Sequence, residues 1–270
     1  MTTAHAIRWS VFTKPWPEAK AEDLAAMVAD LGFDGVELPI RPGFQVSASS
    51  LPHGLTELAG IFADHGLRIY SVASTLDEPV MAACAAVGVP VVRTMAPLSP
   101  NGFLDSDKLV RNQLDAALPL CERYGVQVGV QPHYDYYISD SLMLANLLAD
   151  YDPRHVVAIW DAAHDGLARK APEHGLEMVW PRLGMVNLKN AYYRREPDGK
   201  AAKGGWQPFF CPGPDGMADW GRSLRYLRDH GYSGVICLTG EYDGDSDVQT
   251  LVRDDLSYAR RLIEGSRQRG

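Results

Sequence analysis

Apolar residues along the chain fall into two alternating rhythms. Short runs with an every-second-residue pattern read as strands: "AIRWSVF", "DGVELP", "RIYSVAS", "PVVRTMA", "VQVGVQPH", "VVAIWDA", "MVNLKNA" and "GVICLTGEY". Between them lie longer segments with apolar positions every three or four residues, such as "EAKAEDLAAMVADLG", "LTELAGIFADHG", "DEPVMAACAAVG", "DKLVRNQLDAALPLCERYG" and "MADWGRSLRYLRDHG". These read as amphipathic helices. Five stop at a glycine (Gly32, Gly66, Gly88, Gly125, Gly231), where a left-handed residue can end a helix. Strand and helix alternating at roughly 30 residues is the βαβ repeat. Eight such units predict an α/β fold, a single (β/α)8 TIM barrel over residues 1–270. An open doubly wound sheet would use the same elements, but no Gly-x-Gly-x-x-Gly follows the first strand.

The rhythm breaks once. After "VNLKNAYY" comes "RREPDGKAAKGGWQPFFCPGPDG", rich in Gly and Pro and carrying Trp206, Phe209 and Phe210. A structureless connection of this length is usually functional or disordered, and the aromatics favour function. The expectation is a long lid loop after the seventh strand, with Trp206 and Phe209 closing over a bound ring.

Barrel strands alternate lumen-facing and helix-facing residues. In "VQVGVQPH" the valines at 126, 128 and 130, with Pro132, take the helix side, which leaves Gln127, Gly129, Gln131 and His133 facing the lumen. The same parity leads to Asp161, to Asn187 and Lys189, to Thr239 and Glu241, to Glu37 and to Arg93. Six strands thus turn polar on the inside at their C-terminal ends, where barrels of this kind keep their chemistry.

Each residue also has a purely architectural use. His133 could bond a backbone carbonyl, Asp161 could cap the turn into "AAHDG", and His164 could lie in a surface loop. An inward Lys189 needs a carboxylate, for which Asp161 or Glu241 would serve. Glu37 needs a cation or a sugar hydroxyl. Trp160, on the opposite parity, is expected to pack between barrel and helices.

Composition narrows the partners. Lys and Arg number 26 against 34 Asp and Glu, a net charge of −8, which disfavours a nucleic-acid backbone. Cys84, Cys121, Cys211 and Cys237 form no Cys-x-x-Cys pair and are expected as free thiols of a reducing compartment. The start "MTTAHAIRWSVF" lacks a signal pattern and no run reaches membrane-spanning length. A cytoplasmic protein with no membrane partner and no nucleotide cofactor is expected.

The segments "GFDGVEL", "DAAH", "VNLKN" and "DW" before "HGYSGVICLTGEYD", in that order, resemble the xylose isomerase-like TIM-barrel superfamily of sugar phosphate isomerases and epimerases. The resemblance implies a small-molecule sugar substrate, a homo-oligomer and one divalent metal held by Glu, Asp, His and Glu at successive strand ends. Carried onto this chain, those positions are Gln131, Asp161, Asn187 and Glu241, with Thr239 competing for the last; His164 corresponds to a substrate-touching histidine. Gln and Asn retain an oxygen donor but no charge, so Mg²⁺ or Mn²⁺ would be held weakly or not at all. A glutamine cannot relay a proton, so the base must be His133, His164, Glu241, or Lys189 with a depressed pKa. The activity expected is proton abstraction next to a carbonyl, leading to isomerisation, epimerisation or elimination, with Lys189 stabilising the oxyanion and Glu37 and Arg93 binding substrate. A keto-sugar lyase or dehydratase that uses no metal, a non-catalytic sugar-binding barrel and a DNA-repair endonuclease are the competing readings, the last opposed by the net charge and by Asn187.

Overall fold

A computed structural model describes residues 7–135, 137–195 and 205–265. In chain order the strands are β1 (Arg8–Phe12), β2 (Gly35–Pro39), β3 (Arg68–Ala73), β4 (Val91–Met95), β5 (Gln127–Gln131), β6 (Val156–Asp161), β7 (Leu183–Leu188), β8 (Asn190–Arg195), β9 (Trp206–Cys211) and β10 (Val235–Leu238). The helices are α1 (Ala21–Leu31), α2 (His53–Asp64), α3 (Glu78–Val87), α4 (Phe103–Tyr124), α5 (Ser141–Leu148), α6 (Ala162–Leu167), α7 (Pro172–Val179), α8 (Trp220–Asp229) and α9 (Val248–Glu264). Strands β1 to β7 and β10 pair in parallel and close on themselves in the order β1-β10-β7-β6-β5-β4-β3-β2. This is the (β/α)8 barrel the pattern predicts, and all five helix-ending glycines have positive φ.

Two hydrophobic layers follow from the strand alternation. Helix-facing side chains such as Val36, Val128, Trp160 and Val186 join the large outer core with Leu24, Phe62 and Leu144 from the helices. Lumen-facing Phe12, Ala73, Val91, Ile159, Met185 and Cys237 form a separate inner cluster. Trp160 takes the outer side as expected, and its indole N–H donates to Asp165 Oδ2 at 2.6 Å. All four cysteines are buried and free. No helix among the described residues is long and apolar enough to cross a membrane.

The segment read as a lid loop departs from expectation. Its flanks form an antiparallel ribbon, with β8 paired to β9 from Asn190 opposite Cys211 to Arg195 opposite Trp206. Residues 196–204, the middle of the expected loop, lie outside the described residues. An isolated two-stranded ribbon is marginal in water, and this one rests on the barrel. Ala191 and Phe210 pack on Ala163 and Leu167 of α6. Asn190 ties its base down, donating to the carbonyls of Gly213 at 2.7 Å and Ala218 at 2.8 Å.

The inner cluster leaves no spare room at β5. A Cβ on Gly129 would lie 2.6 Å from Ile159 Cδ1 and 2.9 Å from Val91 Cγ1, because those larger side chains fill the lumen where Gly129 has none. Gly129→Val should therefore overpack the barrel and lower stability by about 1–3 kcal/mol. Urea unfolding measures this, and an unchanged midpoint would show slack in the lumen that the structure does not contain.

Candidate active site

At the C-terminal mouth the lumen-facing polar groups form one continuous chain of contacts. Glu37 of β2 is fully buried and its Oε1 accepts from Arg93 Nε of β4. Arg93 Nη1 donates to Gln131 Oε1 at 2.5 Å, and Gln131 Nε2 donates to Asp161 Oδ2 at 2.5 Å. The Lys189 ammonium lies 3.6 Å from that same Asp161 oxygen and 3.2 Å from Glu241 Oε2. Glu241 Oε1 in turn meets Lys14, which follows β1. Seven residues from separate chain segments thus run around the mouth in contact.

Local backbone rules place each member. Asp161 ends β6 and caps α6, its Oδ1 accepting from the His164 N–H at 3.2 Å. That cap fixes the spacing of "DAAH" and lays the His164 ring beside Asp161, Nε2 to Oδ2 at 3.8 Å. Lys189 occupies the one residue between β7 and β8, and its carbonyl accepts from Trp220 Nε1 at 3.2 Å. Past the end of β10, Gly240 has φ of 63°, a left-handed turn that breaks strand parity before Glu241.

Electrostatics sort these groups into fixed charges and neutral bases. Burial opposes the Lys189 ammonium, but Asp161 and Glu241 together outweigh it and hold its pKa above the ordinary lysine value. This is the reverse of what a lysine general base requires. Glu241, also disfavoured by burial, is brought down to about 2 by Lys189 and Lys14. Burial raises Asp161, with Lys189 and the His164 N–H pulling the other way. The histidines go the opposite way: burial, then the Lys189 charge, lowers His133 and takes His164 well below the usual value. Both are neutral imidazoles at neutral pH.

The two rings lie 4.8 Å apart, centroid to centroid. His133 Nδ1 contacts the Tyr134 carbonyl at 3.0 Å, the backbone role its position suggested, which turns Nε2 into the basic nitrogen. His164 is 1% exposed, not a surface loop residue, and neither ring nitrogen has a hydrogen-bond partner among the described residues. The side-chain polar atoms of Asn187 and the Thr239 hydroxyl are likewise buried and unpartnered there. A cavity of about 70 Å³ meets Lys189, Asn187, Thr239 and His133. A wider one of about 420 Å³ meets His164, Tyr134 and Trp206.

Most of the sequence-predicted residues converge here, with differences in detail. Glu37 lies beneath Arg93, and the Cys237 thiol sits 3.6 Å from its other oxygen, so it braces Arg93 from below the cavity. Trp206 lines the wider cavity and is half exposed. Phe209 is on the opposite side of the ribbon from Phe210, under the Arg194 guanidinium at 4.2 Å. Phe210 is the ring over the site: Lys189 Nζ lies 5.1 Å from its centroid and the Tyr134 ring 5.9 Å. Lys14, Arg41 and Tyr134 also line the cavities and had no periodic signal, since all three sit in loops past strand ends.

The set anticipated for a divalent metal, Asp161, Glu241, Gln131 and Asn187, does not fit one as placed. An ammonium already stands between the two carboxylates, and Gln131 presents its carbonyl to Arg93 and its N–H to Asp161. Among the described residues no group of three His, Cys, Asp or Glu side chains is arranged to hold a metal ion. Hard divalent ions need converging oxygens, which this arrangement lacks.

No curated protein matches the chain. Solved structures share the architecture at low identity. The 3-keto-D-glucoside 4-epimerase of E. coli superposes with a TM-score of 0.72 at 18% identity, covering 94% of this chain and 99% of that one. A xylose isomerase-like barrel of Mycobacterium smegmatis in complex with magnesium gives 0.72 at 17%, covering 98% and 99%. The probable 3-DHS dehydratase of Bacillus anthracis gives 0.70 at 15%, covering 96% and 99%. A family model, the xylose isomerase-like TIM barrel, matches residues 25–262. The chain belongs to the xylose isomerase-like TIM-barrel family.

Proposed function

We propose that the protein is an enzyme that removes a proton next to the carbonyl of a sugar or keto-sugar, without a divalent metal. The observation that carries this is a pair of imidazoles 4.8 Å apart, His164 buried and His133 half-buried, both with lowered pKa, beside a Lys189 whose charge is held by two carboxylates. A neutral imidazole accepts the carbon-bound proton, and the electron pair moves onto the carbonyl oxygen. The developing enediolate is met by the Lys189 ammonium, held in place by Asp161 and Glu241 before the substrate arrives. The imidazolium then returns its proton to the neighbouring carbon or to a departing β-oxygen, or it releases that proton to solvent while a second donor protonates the opposite face. These outcomes are isomerisation, epimerisation and elimination. Asn187 and Thr239, with unsatisfied polar atoms, take substrate hydroxyls. That solved relatives of the same fold include an epimerase and a probable dehydratase supports this range.

Exchange of the substrate α-proton in deuterated solvent, followed by NMR over a panel of ketoses and keto-glycosides, tests the chemistry. Replacing His133 or His164 by Asn should slow exchange by about 10²-fold or more while binding persists. Undiminished exchange in both variants removes histidine from the mechanism. Because a base acts unprotonated and both histidines titrate below 6.5, kcat/KM should hold down to that pH and fall only beneath it. An acid limb centred above 6.5 would point to a different group. Dialysis against EDTA should leave kcat/KM within about twofold, since a fixed ammonium supplies the cationic contact to the oxyanion; loss of activity restored by Mn²⁺ would reverse this reading.

A further inference from the structure

The inner cavity is more cationic than catalysis of a neutral sugar requires. Lys14, Arg41, Arg93 and Lys189 all line it. Three of them are matched: Arg93 by Glu37, Lys189 by Asp161 and Glu241, and Lys14 by Glu241. Arg41 has no carboxylate within ion-pair distance among the described residues; its guanidinium sits 5.6 Å over the Phe44 ring. Its pKa is lowered, first by burial and then by the facing Arg93. Four cations thus share three carboxylates, and the unmatched charge faces the space where the substrate sits. Arg41 is exposed on its outer side, so water solvates part of its charge, and an incoming anion at the cavity wall would relieve its repulsion from Arg93.

We infer that the substrate carries a single carboxylate, bound by Arg41 at the wall of the inner cavity while its carbonyl faces Lys189. This rests on the proton-abstraction reading and names the substrate class within it: a keto-sugar acid or related hydroxy-keto acid. A planar carboxylate matches the guanidinium fork in shape, and one negative charge matches the excess of one. A phosphate dianion would overshoot that balance. The cavity of about 70 Å³ suits the smaller group.

The test uses the full chain and three ketoses that differ at one terminus: D-fructose, D-fructuronate and D-fructose 6-phosphate. Calorimetry gives affinity, and α-proton exchange gives turnover. Wild type should bind D-fructuronate at least tenfold more tightly than either companion. Arg41→Gln should reduce the fructuronate-to-fructose affinity ratio at least tenfold, and Arg41→Lys should restore part of it. Equal binding of the three by wild type, or a ratio unmoved in Arg41→Gln, overturns the carboxylate assignment. Preference for the phosphorylated sugar overturns it in favour of phosphate. Arg41-dependent binding of D-fructuronate with no exchange at any ketose upholds the anion site and overturns the proposed chemistry instead.

Discussion

A buried charge must be matched by its neighbours, and at this barrel mouth that requirement is met by a single chain of contacts from Glu37 to Lys14. Each link satisfies one partner and presents its remaining valence to the next: Glu37 to Arg93, Arg93 to Gln131, Gln131 to Asp161, Asp161 to Lys189, Lys189 to Glu241. Removing one member of a buried pair strands the other at a cost of about 3–5 kcal/mol. The chain therefore acts as a unit, and it aligns strand ends that are remote in the sequence. The two neutral histidines owe part of their depressed basicity to the same cations.

The arrangement also explains how a member of a family with metal-bound relatives can carry Gln131 and Asn187. Glutamine has both an acceptor and a donor, so it joins a guanidinium to a carboxylate; a glutamate there would face Asp161 with like charge. The place between Asp161 and Glu241 is held by a side chain that cannot dissociate. An ammonium on a tether brings no water to activate and no open coordination position, which is why the proposed chemistry assigns acid–base work to the imidazoles.

Much of this was legible in the sequence because strand parity is a rigid rule. The inward run of Gln131, Asp161, Asn187 and Lys189 follows from counting by twos, and the barrel register keeps that parity, with Asp161 opposite Asn187 and Met95 opposite Gln131. The same count reaches Glu241, although the left-handed Gly240 interrupts the strand just before it. What escaped lies where counting fails. Lys14 and Arg41 follow strand ends and carry no periodicity. The segment after β7 reads as a loop because its strands are short and flanked by Gly and Pro, although 190–195 and 206–211 form a ribbon. Phe210 went unassigned for the same reason: the ribbon's own alternation turns it towards Lys189 and Tyr134, while Phe209 shares an adjoining cavity with both aromatic rings.

The placement of Asn190 has a consequence for how the molecule could be rebuilt. This one amide clasps the ribbon's base through four backbone bonds, and it directly follows Lys189 in the chain. The ammonium and the ribbon are thus mechanically one piece. Grafting a different ribbon onto this scaffold, to accept bulkier molecules, would have to preserve that amide and the glycine at 216 whose bare backbone accommodates it. The interchangeable cassette begins at residue 191, immediately beyond the ammonium at 189 and the amide at 190.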